Sequence, residues 1–250
     1  MFPIQTGVPY RTAPFVTFCL IAINAAIFVY QVGLHPLALE RFLERYALIP
    51  GRYFSSDLFP PPAGLADYLP FVTNMFLHGG WLHLIFNMWM LYLFGPAVED
   101  RLGRVRYLLF YLACGVAASM THAHFNAGSF VPALGASGAI AGVIGCFVRL
   151  FPLANLIVVI PILFLPLFFE LPALIFVALW FAIQLVQGAV DLIRPPDGGG
   201  IAWWAHIGGF VAGLLLTPLL VRSPSKYRRY YPDEGIYGFA PDGRRRSREF

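Results

Sequence analysis

Among the polar side chains within the apolar runs of this 250-residue chain, four stand out: His83, Asn87, Ser137 and His206. By type they supply a hydroxyl nucleophile, a base and further hydrogen-bond donors. Peptide hydrolysis needs that combination: a group to attack, a base to take its proton, and donors aimed at the developing oxyanion. His83 and Asn87 stand four residues apart in HGGWLHLIFNMWMLYLFG. A helix would put both on one face, one turn apart. Ser137 lies in VPALGASGAIAG and His206 in AWWAHIGGFVAG. Polar groups within membrane spans are costly and are functional candidates by default. Each also has a plainer reading. His83 and Asn87 can satisfy each other or backbone carbonyls. Ser137, beside Gly138 and Gly142, suits a helix face that only packs closely. Ala205, Gly209 and Gly213 repeat every four residues next to His206, so that helix too has one nearly bare face.

The elements that would hold these residues follow from composition. The chain is 58% hydrophobic and 12% charged, with 24 Phe, 5 Trp and a mean hydropathy of +0.69. A soluble domain carries about 25% charged residues, so this is read as an integral membrane protein. Spans of about 20 apolar residues are expected at Ala13–Val32, Trp81–Arg101, Tyr107–Thr121, Ala136–Arg149, Leu171–Gly188 and Ile201–Val221. The fourth is short. Glu99 and Asp100 close the second and should reach the interface. The N-terminal run has no small-residue cleavage signal and is expected to be a retained span. Cys19, Cys114 and Cys146 sit in apolar runs at unrelated spacings, as small core or lipid-facing residues.

Leu153–Phe169 is apolar enough for a seventh span. Pro152, Pro161, Pro166 and Pro172 punctuate it, and each removes a helix hydrogen bond. Charge argues the same way. With six spans, one side holds 13 Lys and Arg and the other holds four, Arg41, Arg45, Arg52 and Arg194. A seventh span would put the basic C-terminal tail outside, against the positive-inside rule. The segment is therefore expected to be interfacial or re-entrant. The net charge of +4 reads as topology, with no nucleic-acid partner. The first loop, Gly33 to Gly80, has an amphipathic stretch around Leu39–Leu48 and is expected to form short interfacial helices. The expected organisation is a cytoplasmic tail over 1–12, a membrane domain over 13–221, and a basic, disordered cytoplasmic tail over 222–250 that favours anionic head groups.

Depth couples the polar residues. At about 1.5 Å per residue, Ser137 stands about 18 Å above Arg149, Asn87 about 21 Å above Arg101, and His206 about 22 Å above Val221. One site would require one level; four unrelated structural polars would not. The short fourth helix then begins inside the membrane, with its free N–H groups beside Ser137.

The sequence resembles the rhomboid family of intramembrane serine proteases. The resemblance rests on His83 and Asn87 in HGGWLHLIFN, on GASG at Gly135–Gly138, and on Ala205-His206 with Gly209 and Gly213, in that order and spacing. It covers nearly the whole chain save the tail. It implies an all-α membrane protein: a six-transmembrane-helix bundle with an embedded first-loop hairpin. It also implies a Ser–His dyad of Ser137 as nucleophile and His206 as base. His83, Asn87 and the Ser137 N–H would form the oxyanion hole. The expected substrates are single-span membrane proteins, cut near the outer end of the span, with the lipid bilayer as the other partner. Expected location is a bacterial-type inner membrane with both termini cytoplasmic. No cofactor and no metal is expected. Two departures from the family pattern stand out: a common first-loop Trp-Arg pair is missing, and Ala141 stands where some members stack an aromatic on the histidine.

Rival chemistries find little. There is no H-E-x-x-H zinc motif and no pair of aspartates within spans. His122 and His124 form an H-x-H with no carboxylate or cysteine nearby in sequence. A non-catalytic rhomboid-like protein that binds or escorts membrane helices is the alternative reading. A small-solute transporter would need repeat symmetry or charged midplane residues, and neither is evident.

Overall fold

The computed structural model describes residues 2–54, 62–162, 165–193 and 202–221. The expected C-terminal tail, 222–250, lies outside the described residues. The chain is mostly helical. Strand β1 (Phe2–Thr6) leads into α1 (Phe15–Val32). The first loop forms α2 (Pro36–Tyr46), α3 (Gly51–Phe54) and α4 (Pro70–Thr73). Then come α5 (Trp81–Leu102), α6 (Arg104–Phe125), α7 (Ser137–Leu150), β2 (Asn155–Ile162), β3 (Leu165–Pro172), α8 (Ala173–Ile193) and α9 (Trp203–Leu220). Among the described residues, α1, α5, α6, α8 and α9 are each long and apolar enough to cross a membrane; α7 is apolar but only 14 residues long.

The core lies where α5, α6 and α7 meet. Phe94, Tyr107, Phe110, Tyr111 and Phe147 are fully buried there, and the Phe94 and Phe147 rings meet edge to face at 4.9 Å. α7 is almost wholly enclosed: every residue from Gly138 to Val148 is buried. Its small side chains make that possible, since a helix buried on all sides leaves room for little else.

Glu99 and Asp100, at the end of α5, are covered by protein. Both are buried, at 1% and 4% exposure. α1 follows Pro14 and has no side-chain cap of its own. Its free N–H groups are taken instead by the end of α5. Glu99 accepts from the Val16 and Thr17 amides and from Thr17 Oγ1, at 2.8–2.9 Å. Asp100 accepts from the Thr12 amide and hydroxyl. Carboxylates at a helix N-terminus satisfy orphan donors and oppose the dipole. α5 then ends at Gly103, whose φ of +81° favours glycine and turns the chain directly into α6.

The expectation of an all-helical chain fails in one place. Most of Leu153–Phe169 forms the β2–β3 hairpin. β1, from the stretch expected to be a tail, joins it in an antiparallel sheet of order β1-β2-β3. The prolines that exclude a helix are tolerated here, two of them facing each other near the turn as Pro161 and Pro166. Leu156 and Val158 are fully buried and their neighbours are not, the period of two of a strand with one covered face. β1 lies against the middle of α5: the Phe2 ring stacks on Phe86 at 5.9 Å, and Trp89 Nε1 donates to the Pro3 carbonyl. Sheet pairing gives this apolar backbone the hydrogen-bond partners that lipid cannot.

Candidate active site

Ser137 is the first residue of α7. Its approach is a tight turn through Gly135, at φ +129°, where a side chain would be strained. Space forbids one as well. A Cβ on Gly135 would lie 2.7 Å from His83 Nε2 and 3.7 Å from Asn87 Nδ2. His83 and Asn87 therefore converge, from one face of α5, on the backbone two residues before Ser137. The Gly135 amide is held by the Asn74 carbonyl at 2.9 Å, which ties this turn to the first loop.

His83 Nδ1 lies 3.4 Å from the Gly79 amide nitrogen and accepts from it. An accepting Nδ1 leaves the proton of the neutral ring on Nε2, the nitrogen facing Gly135. Asn87 is buried, and its Nδ2 has no hydrogen-bond partner. A buried amide without a partner is uncommon enough to call for a reason. His78, just ahead of α5, has its ring edge-on to His83 at 5.1 Å. Burial holds His78 neutral, its pKa pushed down to about 4.

Ser137 also lines a small cavity with Asn74, Ser119, His122, Gly135, Ala202 and Ala205. Its volume is about 20 Å³, room for about one water. Of the H-x-H pair, only His122 lines this cavity.

α9 brings His206 to the same end of α7. The two helices meet backbone to backbone. A Cβ on Gly209 would run into the Gly138 carbonyl, and one on Gly213 into the Gly142 carbonyl. A Cβ on Gly138 would touch Ala205 at 3.5–3.6 Å. Ser137 and His206 thus flank the Gly138–Ala205 contact on their two helices. No hydrogen bond joins them in this state. Catalytic hydrogen bonds are often long before substrate binds. His206 Nδ1 is instead 2.7 Å from Gln184 Oε1 on α8. Trp180 lies 6.0 Å from the imidazole, tilted, and Trp203 6.3 Å away, edge-on. The indoles near the imidazole come from α8 and α9. Sequence reasoning missed Gln184 and Trp180. The signal for Gln184 was there, an amide within an apolar span.

Comparison with known proteins places the chain. The family model described as the Rhomboid domain matches residues 66–223. The mitochondrial rhomboid protein 1 of Saccharomyces cerevisiae is 27% identical over 217 residues, covering 85% of this chain and 55% of that protein. The rhomboid-type serine protease 2 of Emericella nidulans is 29% identical, over 68% of this chain and 31% of that protein. A putative rhomboid protease of Bacillus subtilis is 29% identical, over 64% of this chain and 69% of that protein. The chain therefore spans about half, or less, of the length of the first two.

Proposed function

The chain belongs to the rhomboid family, and on that premise we propose that it is an intramembrane serine endopeptidase. Ser137 is the nucleophile and His206 the general base. As Ser137 Oγ attacks the scissile carbonyl, its proton passes to His206 Nε2. The carbonyl oxygen gains the charge, and His83 Nε2–H, Asn87 Nδ2–H and the Ser137 N–H donate to it. The C–N bond then breaks as the imidazolium returns the proton to the leaving amine. Water attacks the acyl-enzyme by the same route and frees Ser137. The observation that carries this reading is the Gly135 turn. Two donors on α5 press against the backbone that leads into a serine at a helix N-terminus, and glycine-on-glycine packing brings the start of α9, which carries His206, against the start of α7.

In this reading α7 is a sixth, short span, and the first loop, with α2 at its head, is embedded at the interface. The membrane domain runs over 13–221, with the N-terminal strand β1 joined to its sheet and a cytoplasmic tail over 222–250. The substrates are membrane proteins with a single span. Their helices must unwind before attack, so small and helix-breaking residues near the outer end favour cleavage. Relatives named for mitochondria stand beside a bacterial one. The location this supports is an inner membrane, bacterial or mitochondrial, with the basic ends on the cytoplasmic or matrix side.

The test is direct. Ser137→Ala and His206→Ala should each abolish cleavage of a membrane-anchored reporter while expression and melting temperature stay near wild type. The double variant should be no worse than either single, because the pair acts as a unit. A serine-reactive fluorophosphonate should label the wild type and not Ser137→Ala. Cleavage that survives Ser137→Ala would leave a binding or escort role as the reading.

A further inference from the structure

We propose that Gln184 is a positioning residue for His206, an uncharged third member that fixes which ring nitrogen is the base. The proposal rests on the reading of His206 as the general base. Gln184 stands in the middle of α8 within VALWFAIQLVQG and is only 4% exposed. An amide in that setting needs partners, since burying it unpaired costs a few kcal/mol. It has two. Nε2 donates to the Trp180 carbonyl one turn back, at 3.2 Å, and Oε1 lies 2.7 Å from His206 Nδ1.

These contacts fix more than a helix pair. An amide nitrogen can only donate, so the Trp180 carbonyl decides which way the amide faces. The oxygen left facing His206 can only accept. Nδ1 must therefore carry the proton, and the neutral ring keeps its lone pair on Nε2. That is the nitrogen able to take the Ser137 proton. When it does, both ring nitrogens are donors, and Gln184 Oε1 still accepts from Nδ1. Trp180, on the same helix, lies 6.0 Å from the ring and Trp203 6.3 Å, so two indoles pack near a ring held by one hydrogen bond.

A carboxylate would do this with more electrostatic stabilisation of the imidazolium. Within a span it would also bring a buried anion and its desolvation cost. The amide orients without adding charge. Its loss should therefore be felt as misorientation and the wrong tautomer, and should be smaller than the loss of the base itself.

Three variants of the full chain, purified in detergent and returned to liposomes, test this. Gln184→Met keeps the length and apolar volume and removes the acceptor. Gln184→Glu keeps an acceptor and loses the donor. Gln184→Ala removes both and leaves a cavity. Cleavage of a fluorogenic membrane-span substrate should fall about ten- to a hundredfold in kcat for Gln184→Met, with KM changed by about twofold or less. Gln184→Glu should recover most of that loss. Labelling of Ser137 by the fluorophosphonate should slow in parallel with kcat. In ¹⁵N-histidine NMR, His206 should show the Nδ1–H tautomer in the wild type and a mixture in Gln184→Met. A Gln184→Met enzyme with wild-type kcat and tautomer would overturn the proposal. So would equal losses in Gln184→Met and Gln184→Glu that track melting temperature, since Gln184 would then only pin α8 to α9. Failure of the protease reading has another signature, cleavage that survives Ser137→Ala. The tautomer of His206 still decides the role of Gln184 in that event.

Discussion

Asn87 Nδ2 is a buried donor that no acceptor among the described residues meets, about one turn from a histidine whose Nε2 faces the same glycine. If both serve an oxyanion, they act on charge that exists only in the transition state. Asn87→Ala should then lower kcat and leave KM nearly unchanged. Loss of one such donor costs about 10²–10³ in turnover. Two other donors remain here, so the low end is expected. His83→Ala should behave alike, and the two losses should not simply add, since neighbouring groups share one target. Fluorophosphonate labelling of Ser137 should persist in both, more slowly. A raised KM with kcat intact would make Asn87 a substrate contact, and an unfolded protein would make it a structural one. His83, Asn87, Ser137 and His206 were legible because a polar side chain in an apolar run must have a reason. Gln184 met the same criterion, but nothing in its spacing names a partner 22 residues away on another helix. Trp180 was invisible for a different reason. Among 5 Trp and 24 Phe, an indole in a span looks like every other lipid-facing ring.

The pairing of α7 with α9 is where an element decides the chemistry. With no side chains between them at Gly138–Gly209 and Gly142–Gly213, the first turn of α7 can reach the first turn of α9. Gly209→Ala would push a methyl group into the Gly138 carbonyl, which belongs to backbone and cannot swing away. The helices must separate or slide. Overpacking of this kind costs about 1–3 kcal/mol, and a displacement of about 1 Å at reacting groups can cost about a hundredfold in rate. Gly209→Ala should therefore lose about two orders of magnitude in kcat with Ser137 and His206 both intact, and melt several degrees lower. Gly128→Ala, whose methyl would meet nothing within 4 Å, is the control and should match wild type in both assays. Hydropathy and the four-residue repeat of small residues foretold the spans and this bare face. They did not foretell the sheet. Four prolines say that Leu153–Phe169 cannot be a regular helix. They do not say that a strand 150 residues earlier will pair with it, because pairing partners are set by the fold and not by local pattern.

The hairpin bears on the topology of the whole molecule. Asn155 pairs with Pro172, and the Ala173 amide donates to the Ala154 carbonyl. The end of α7 and the start of α8 are therefore brought to one place. A segment whose two ends meet does not carry the chain across a bilayer, however apolar it is. On the six-crossing reading proposed above, α1, α5, α6, α7, α8 and α9 would be the crossings, and an even number would put both ends on one side. That side receives 13 of the 17 Lys and Arg, including eight between Arg222 and Arg248, as the positive-inside rule requires. The same reading would set Ser137 and His206 at the far ends of α7 and α9, toward the outer side. Reporters fused after Arg104, Arg149 and Arg222 should therefore read cytoplasmic in a bacterial host, and a reporter at Ser129 should read external. A cysteine at Leu153, an exposed position between α7 and the hairpin, should react with a membrane-impermeant maleimide only once the cytoplasmic face is opened. A tail that reads external, or a Leu153 cysteine labelled from outside in sealed cells, would mean that 153–169 crosses after all. The basic residues would then lie on the wrong side, and the six-crossing reading with its outward-facing site would fall with them.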